Sequence, residues 1–159
     1  MSELKTGLIE LGFSEDATHL NSGNVIFSSD MDDKNALTNK IILLSHYPFQ
    51  FDITILIIAQ ELLKDIVNHA PDWWGNDGKE IYDNLIFLMP PLSYEEFCDQ
   101  IGSPKEGYEK SYHYKNAVFW SFSRKDYQKT NWWSRTASSN ISHRITIRTA
   151  NTVRKIVGM

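Results

Sequence analysis

The sequence predicts an α+β fold in which strands and helices alternate along two successive units. Three observations predict it: apolar residues switch repeatedly between alternating and helical spacing, turn residues stand at most of the switches, and the composition is 42% hydrophobic and 23% charged. A chain of 159 residues is long enough to bury a core as one domain or as two small fused units.

The first half opens with a predicted helix over residues 2–11 and a β-hairpin. Three leucines in this segment recur at helical spacing, and Gly12 is a typical helix end. The segments 17–20 and 25–28 are short strand candidates on either side of an Asn-Ser-Gly-Asn sequence. These residue types favour tight turns, which predicts that the two strands pair.

A helix, a strand and a further helix complete the first half. Asp32 or Asp33 is a candidate N-cap for a helix that Pro48 ends. The run 51–58 is β-branched and almost continuously apolar, which predicts an interior strand. Residues 60–68 again place apolar side chains on one helical face.

The second half repeats the alternation and contains two capping motifs. Ser93 to Glu96 is a capping box, and Thr149 is a candidate N-cap for the last helix. The predicted elements are strand 85–89, helix 93–101, strands 108–114 and 117–122, helix 125–137, strand 144–148 and a final helix from residue 150.

The order of elements predicts a duplicated architecture. The second half is β-α-β-β-α-β plus a final helix, which is the ferredoxin-like arrangement, and the first half matches it if an opening strand is lacking. We therefore expect an α+β chain of two ferredoxin-like units, the first incomplete, plus a C-terminal helix. The expected boundaries are a first unit at 1–70, a connecting loop rich in tryptophan and glycine at 71–83, and a second unit at 84–159.

Charge is distributed unevenly along the chain. Residues 1–102 carry 5 Lys or Arg and 17 Asp or Glu, whereas residues 103–159 carry 11 and 3. A basic segment is typical of a face for phosphate, carboxylate or nucleic acid. The alternative is that the acidic and basic halves neutralise each other.

The cellular setting is predicted from cysteine usage and hydropathy. Cys98 is the single cysteine, so no intrachain disulfide forms and a reducing compartment is favoured. The first residues lack the apolar core of a signal peptide, and no run approaches the roughly 18 apolar residues of a membrane span. We expect a cytoplasmic protein that does not bind membranes.

Two polar segments beside predicted strands form the candidate site. The hairpin turn offers amides, a hydroxyl and backbone N–H groups that suit an anion, and the basic second half offers Lys129 and Arg148 near a helix N-terminus. The plainer alternatives are an ordinary hairpin turn and an ordinary capped helix. The candidate ligand-binding residues are Asn21, Ser22, Gly23, Asn24, Lys129, Asn131, Arg148, Asn151 and Thr152.

The sequence contains no recognisable catalytic or metal-binding motif. The five histidines are widely spaced, and neither a Gly-x-Ser-x-Gly elbow nor a Walker loop is present, so no cofactor, metal or reaction is predicted and an enzyme remains an open alternative. Residues 115–122 loosely follow an RNA-recognition strand, but Asn116 replaces a required glycine and an alternating apolar strand is more often core.

Several motifs resemble one bacterial family. Leu11-Gly12-Phe13, the segment 18–27 and the segment 147–155 are similar to the family known as domain of unknown function 1697, as are 70–75, 119–122 and 129–133. The resemblance implies a duplicated α+β fold in small bacterial cytoplasmic proteins with no established activity. Family members begin with a strand and a glycine-rich segment that this sequence lacks, which predicts an unpaired sheet edge.

These observations together predict a binding module for a small phosphorylated or carboxylated ligand. The alternatives are a protein-interaction domain, including a homo-oligomer formed through the unpaired sheet edge, and a single-stranded nucleic-acid binder.

Overall fold

The structure is a computed structural model that describes residues 6, 8–10, 12–13, 18–20, 23–49, 54–76 and 78–159. It divides into two compact units, Met1–Ile57 and Ile58–Met159. The boundary assigns the helix at residues 60–68 to the second unit, whereas the sequence analysis assigned it to the first.

The first unit contains a hairpin and a long helix, α1 (Lys34–Phe49). Strands β1 (Thr18–Leu20) and β2 (Asn24–Ile26) pair antiparallel, as the turn sequence predicts. The Oδ1 atom of Asp33 accepts hydrogen bonds from two N–H groups in the first turn of α1, which confirms the aspartate cap. The helix extends one residue beyond Pro48, where the sequence predicted its end.

A small apolar core lies within the first unit. Residues 8–10 are helical, and Gly12 ends the turn at a φ of 85° while its N–H donates to the carbonyl oxygen of Ile9 at 2.9 Å. Phe13 then packs on Phe27, with ring centroids 4.8 Å apart. The buried members of this core are Leu8, Phe13, Leu37 and Ile41.

The predicted interior strand at 51–58 is wrong over its described part. Residues 54–59 form no strand, and residues 51–53 lie outside the described residues. Ile55 and Ile57 nevertheless alternate onto the core of the first unit. β-Branched residues favour extended backbone, but a strand also needs a hydrogen-bonded neighbour, and none of the described strands pairs with this segment.

The second unit is built on a four-stranded antiparallel sheet in the order β4-β5-β3-β6. Its element order contains β-α-β-β-α-β, preceded and followed by a helix. The strands are β3 (Ile81–Leu88), β4 (Glu109–Tyr114), β5 (Ala117–Ser123) and β6 (Ile145–Thr149). The helices are α2 (Gln60–Asn68), α3 (Tyr94–Ile101), α4 (Trp132–Ser138) and α5 (Ala150–Val157), with 3-10 turns at Arg124–Lys129 and Ser142–Arg144.

Both faces of the two central strands, β3 and β5, are buried over most of their length. On one face, Ile86 and Trp120 pack with Phe97 of α3 and Trp132 of α4. Residues of the opposite face alternate with these, and there Trp74 packs edge-on against Phe119. Helix α5 packs on α2 and on β3. The packed centre of the sheet leaves the ends of its strands as places where surface sites can form.

The capping predictions of the second half are confirmed. Ser93 Oγ accepts a hydrogen bond from the Glu96 N–H at 3.1 Å, and Thr149 Oγ1 accepts one from the Thr152 N–H at 3.4 Å. Strand β3 begins at Ile81, four residues before its predicted start. Among the described residues, no helix has both the length and the hydropathy that are needed to cross a bilayer.

The predicted helix at 125–137 is split in two. A 3-10 segment ends at Lys129, and α4 begins at Trp132. Between them the Thr130 hydroxyl donates to the Tyr127 carbonyl at 2.6 Å, and the Asn131 N–H donates to Glu109 Oε2 at 2.7 Å. A continuous helix would need that N–H for its own backbone ladder, so the distant carboxylate causes the break.

Candidate functional site

A cavity of about 330 Å³ lies in the second unit, where the first residues of β3 and β4 meet the last residues of β5. Trp73, Ile81 and Phe122 give it apolar walls, and Lys110, Ser121 and Ser123 give it polar groups. The volume is at the lower end of the range of small-molecule sites. The remaining lining residues are Gly107, Tyr108, Glu109 and Asp126.

Three polar side chains of this region form one row across the sheet. Lys110 of β4 pairs directly with Ser121 of β5, which pairs directly with Asp83 of β3. Residues directly opposite in antiparallel strands project from the same face, with Cβ atoms about 5 Å apart. Ser121 therefore lies between an ammonium group and a carboxylate.

The Ser121 hydroxyl and the Asp83 carboxylate are hydrogen-bonded to each other. A carboxylate has no hydrogen to donate, so Ser121 is the donor of this bond. Both residues are buried, with 4% and 9% of their surface exposed. The hydroxyl oxygen of Ser121 keeps its lone pairs, and Ser121 lines the cavity.

Glu109 lines the same cavity but is fully engaged by the protein. Its Oε1 accepts from Trp120 Nε1 at 3.1 Å and from the Trp132 N–H at 3.0 Å. Its Oε2 accepts from the N–H groups of Lys105 and Asn131, each at 2.7 Å. Four donors occupy the four principal lone-pair positions of a carboxylate, and two of them are the first N–H groups of α4. The role of Glu109 is therefore to hold the backbone.

Lys129, a predicted site residue, lies beside this cavity. Its Nζ is 2.8 Å from Asp126 Oδ1 and 5.6 Å from the ring centroid of Tyr108, and both partners line the cavity. The hydrogen bond from Lys129 to Asp126 raises the pKa of the lysine. Lys105 Nζ lies 5.0 Å from the same Tyr108 ring centroid, so two ammonium groups border this side.

Asn131 is committed to the protein rather than to the cavity. Its Nδ2 donates to the carbonyl oxygen of Ser103 at 3.1 Å, and its N–H is bound by Glu109. The side chain thus ties the start of α4 to the loop that precedes β4.

The other predicted cation of this unit lies at the junction of β6 and α5. Arg148 Nη1 donates to Thr146 Oγ1 at 2.8 Å and to the Ile147 carbonyl oxygen at 2.9 Å. Burial lowers the pKa of its guanidinium. Thr149 caps α5 by accepting a hydrogen bond from the Thr152 N–H, and Asn151 is exposed on the first turn.

The predicted residues of the second unit therefore form two groups. Lys129 and Asn131 lie by the start of β4, which is one edge strand of the sheet. Arg148 lies on β6, the opposite edge strand, with β5 and β3 between them. Four strands at about 4.8 Å spacing keep the two edge strands about 14 Å apart. These side chains do not line one common cavity.

The predicted residues of the first unit are described only in part. Asn21 and Ser22 lie outside the described residues. Gly23 is exposed with a φ of 74°, which is the left-handed conformation that the turn sequence predicts, and Asn24 is the first residue of β2.

The aromatic residues within 115–122, the segment that loosely follows an RNA-recognition strand, are buried. Phe119, Trp120 and Phe122 of β5 have 0%, 2% and 3% of their surface exposed, so they offer no stacking platform. The chain also contains two pairs of adjacent tryptophans, and each pair has one buried and one more accessible member. Trp73 borders the cavity beside buried Trp74, and Trp133 is 43% exposed beside buried Trp132.

The polar row at the cavity was not predicted from the sequence. Asp83 was assigned to the connecting loop, because the predicted strand began at Leu85, and Lys110 and Ser121 were taken only as strand residues. An acidic residue within an otherwise apolar run was the available signal, since a buried carboxylate needs a partner. Within the described part of the chain, no three histidine, cysteine, aspartate or glutamate side chains cluster as metal ligands.

The fold and the cavity define a mixed α+β protein with a four-stranded antiparallel sheet and a small surface cavity. The model of the family described as "Protein of unknown function (DUF1697)" matches residues 1–119, so the chain belongs to that family. A solved structure, that of the conserved bacterial protein SP0830 from Streptococcus pneumoniae, is similar to this chain with a TM-score of 0.82 and 27% sequence identity. The similarity covers 99% of this chain and 87% of the streptococcal one. No curated protein matches the chain.

Proposed function

We propose that the protein is a binding module for a small anionic ligand, phosphorylated or carboxylated, and that the cavity at the start of β4 receives it. The observation that carries the proposal is Lys110, an exposed lysine that lines the cavity opposite the buried hydroxyl of Ser121. An ammonium group beside hydroxyl and aromatic walls is typical of a site for a small polar anion.

The acidic residues of the cavity do not oppose this proposal. Glu109 accepts four N–H donors, and Asp126 is paired with Lys129. Lys129 thus offsets the charge of Asp126, and the four donors leave Glu109 no principal lone pair for a ligand. Lys110 and Lys105 add positive charge on the β4 side, and Lys105 borders the Tyr108 ring. The β4 side of the cavity, where these lysines lie, therefore favours an anion, while the buried carboxylate of Asp83 lies on β3, two strands away.

A thermal-shift screen with sugar phosphates, nucleotides and dicarboxylates tests the proposal at low ionic strength. We expect stabilisation of the wild-type protein by at least one class and its loss in Lys110→Gln. Lys125→Gln is the matched control, because Lys125 is an exposed lysine of the neighbouring 3-10 segment that does not line the cavity. Equal stabilisation of Lys110→Gln and wild type, or stabilisation by diamines, contradicts the proposal.

The junction of β6 and α5 is a second place for an anion. The N-terminus of α5 lies there, and its partial positive charge favours anions. The polar residues at this end are Arg148, Asn151 and Thr152. Arg148→Gln separates the two places in the same screen. Loss of stabilisation in Arg148→Gln with full stabilisation of Lys110→Gln assigns the ligand to the β6 edge and removes it from the cavity.

Self-association is the second candidate function, and the edge strand β4 favours it. Among the described strands, β4 pairs with β5 alone, and Tyr112 on β4 is 43% exposed. Unpaired edges are templates for another strand. We expect a concentration-dependent dimer by light scattering that Tyr112→Lys weakens. A monomer at millimolar concentration rules this candidate out.

We also propose that the chain is a duplication of ferredoxin-like units in a cytoplasmic protein. The β-α-β-β-α-β order of the second unit and the hairpin followed by a helix in the first support it. Superposition of the two units in an experimental structure tests the duplication.

A further inference from the structure

We propose that the ligand of the cavity is a hydroxylated anion, that is, a phosphate or carboxylate with a hydroxyl group two to three bonds from the charged group. This inference rests on the proposed anion site and adds the chemical class of the ligand. The row Asp83, Ser121 and Lys110 carries it.

The first step is the direction of the hydrogen bond within the row. Because the Ser121 hydroxyl donates to the Asp83 carboxylate, its hydrogen is not available to a ligand. Ser121 lines the cavity, so what it presents there is an oxygen with lone pairs. A ligand atom that contacts this oxygen must carry a hydrogen, as a hydroxyl group does. A bare phosphate or carboxylate oxygen at that position would meet lone pairs and be repelled.

The second step is the distance between the acceptor and the cation. Lys110 is the direct cross-strand neighbour of Ser121, so the two Cβ atoms are about 5 Å apart. The flexible lysine side chain can bring its ammonium group to an anion near Ser121, whereas the short serine side chain keeps its oxygen close to the sheet. A ligand that satisfies both carries its donor and its charge close together. Sugar phosphates and hydroxy acids share this chemistry.

Ser123 provides an internal control for the argument. It lines the same cavity, but its direct partner on β3 is Ile81 rather than an acidic residue. Its hydroxyl is therefore not polarised by a cross-strand carboxylate. If the direction of the Ser121 bond decides ligand choice, removal of the Ser121 hydroxyl must alter selectivity and removal of the Ser123 hydroxyl must not.

The experiment compares matched ligands that differ by hydroxyl groups alone. Glycerol 3-phosphate against propyl phosphate tests phosphates, and malate against succinate tests carboxylates, each by calorimetric titration of the full chain. We expect the hydroxylated member of one pair to bind about tenfold more tightly, the effect of one hydrogen bond. The pair that discriminates identifies the charged group as phosphate or carboxylate.

The variants then assign that selectivity to the row. We expect the ratio of dissociation constants to fall towards one in Ser121→Ala and to remain about tenfold in Ser123→Ala. In Asp83→Ala the acceptor of this bond is removed, which frees the serine hydrogen, so selectivity should fall there also with the hydroxyl still present. Folding of each variant is checked by circular dichroism, and Asp83→Ala keeps the test decisive if Ser121→Ala fails to fold.

The outcomes separate this inference from the function on which it rests. Equal binding of both members of each pair, or a ratio unchanged in Asp83→Ala, overturns the hydroxylated class and leaves anion binding intact. Absence of any Lys110-dependent anion binding overturns both.

Discussion

The carboxylate of Glu109 and the backbone N–H of Trp132 form a 3.0 Å hydrogen bond that joins the first residue of β4 to the first residue of α4. The same carboxylate binds the preceding N–H, of Asn131, at 2.7 Å. A side chain from one element thus caps the helix of another, in the place that a local Ser, Thr or Asp side chain usually takes. The β4 end of the cavity depends on this link.

Glu109→Gln should destabilise the protein by about 2 kcal/mol, because an amide cannot accept on both sides. The NH₂ group of glutamine would face two N–H donors that now bind a carboxylate oxygen. The remaining amide oxygen would carry no formal charge, which weakens its two hydrogen bonds. Urea denaturation followed by tryptophan fluorescence measures the difference as a lower midpoint with an unchanged slope.

Glu106→Gln is the control for that substitution. Glu106 is an exposed glutamate of the loop that precedes β4, and its change should stay within about 0.5 kcal/mol of wild type. A Glu109→Gln midpoint equal to that of the control contradicts the capping role.

The elements that were predicted correctly from the sequence are those that residues close together in the chain determine. Ser93 and Thr149 are followed by apolar helical spacing, and both act as N-caps. The helix at 125–137 was predicted from the same kind of spacing, yet Glu109 interrupts it from another strand. No local pattern reveals a carboxylate that arrives from a distant part of the chain.

The prediction of a strand at 51–58 was wrong for a related reason. Its β-branched composition describes a preference for extended backbone, and residues 54–59 form no strand although Ile55 and Ile57 do reach the core. Pairing is a property of the neighbours in space, so a propensity cannot supply it. The candidate site was predicted only in part: Lys129 and Arg148 were named, but Lys110 was not. Their grouping depends on sheet order, which puts Arg148 on the edge strand β6, whereas Lys129 lies beside Tyr108 at the start of the opposite edge strand β4.

Trp74→Phe should lower the stability by about 2 kcal/mol. Trp74 is buried, its Nε1 donates to the Asn84 carbonyl oxygen at 2.8 Å, and its ring packs on Phe119 at 5.0 Å. Phenylalanine leaves that carbonyl without its donor and opens a small void. Chemical denaturation measures the loss, and Trp133→Phe, at a position that is 43% exposed and where phenylalanine keeps a ring against Tyr127, should lose less. Similar losses in both variants would show that ring size alone matters.

Gly75→Ala should cost about 1 kcal/mol through backbone strain. Gly75 has a φ of 78°, in the left-handed region that alanine disfavours, and an added Cβ would lie 2.7 Å from Arg154 Nη2. The guanidinium is the end of a flexible side chain and can move, so the backbone sets most of the cost. Gly78→Ala is the control, because Gly78 lacks a positive φ and its nearest neighbours lie at 3.9 Å. A midpoint for Gly75→Ala at or above that of Gly78→Ala contradicts the strain.

Acid should weaken the link between α3 and the start of β6. Arg144 Nη1 lies 2.6 Å from Glu96 Oε1, and Nη2 lies 3.1 Å from Oε2. The hydrogen bonds from Arg144 hold the pKa of the Glu96 carboxyl below its usual range. A carboxyl whose pKa is lower in the folded than in the unfolded state adds stability above its unfolded value, about 4.3, and loses it as the pH falls through the folded pKa.

Glu96→Gln should therefore have a lower melting temperature than wild type at pH 7, and the gap should close progressively as the pH falls below about 4. Differential scanning calorimetry from pH 7 to pH 3 measures the gap. Glu95→Gln is the matched control, since the exposed neighbour has no part in the Arg144 pair and its gap should be small at every pH. A gap for Glu96→Gln that is independent of pH means that the substitution acts through something other than the charge of the carboxylate.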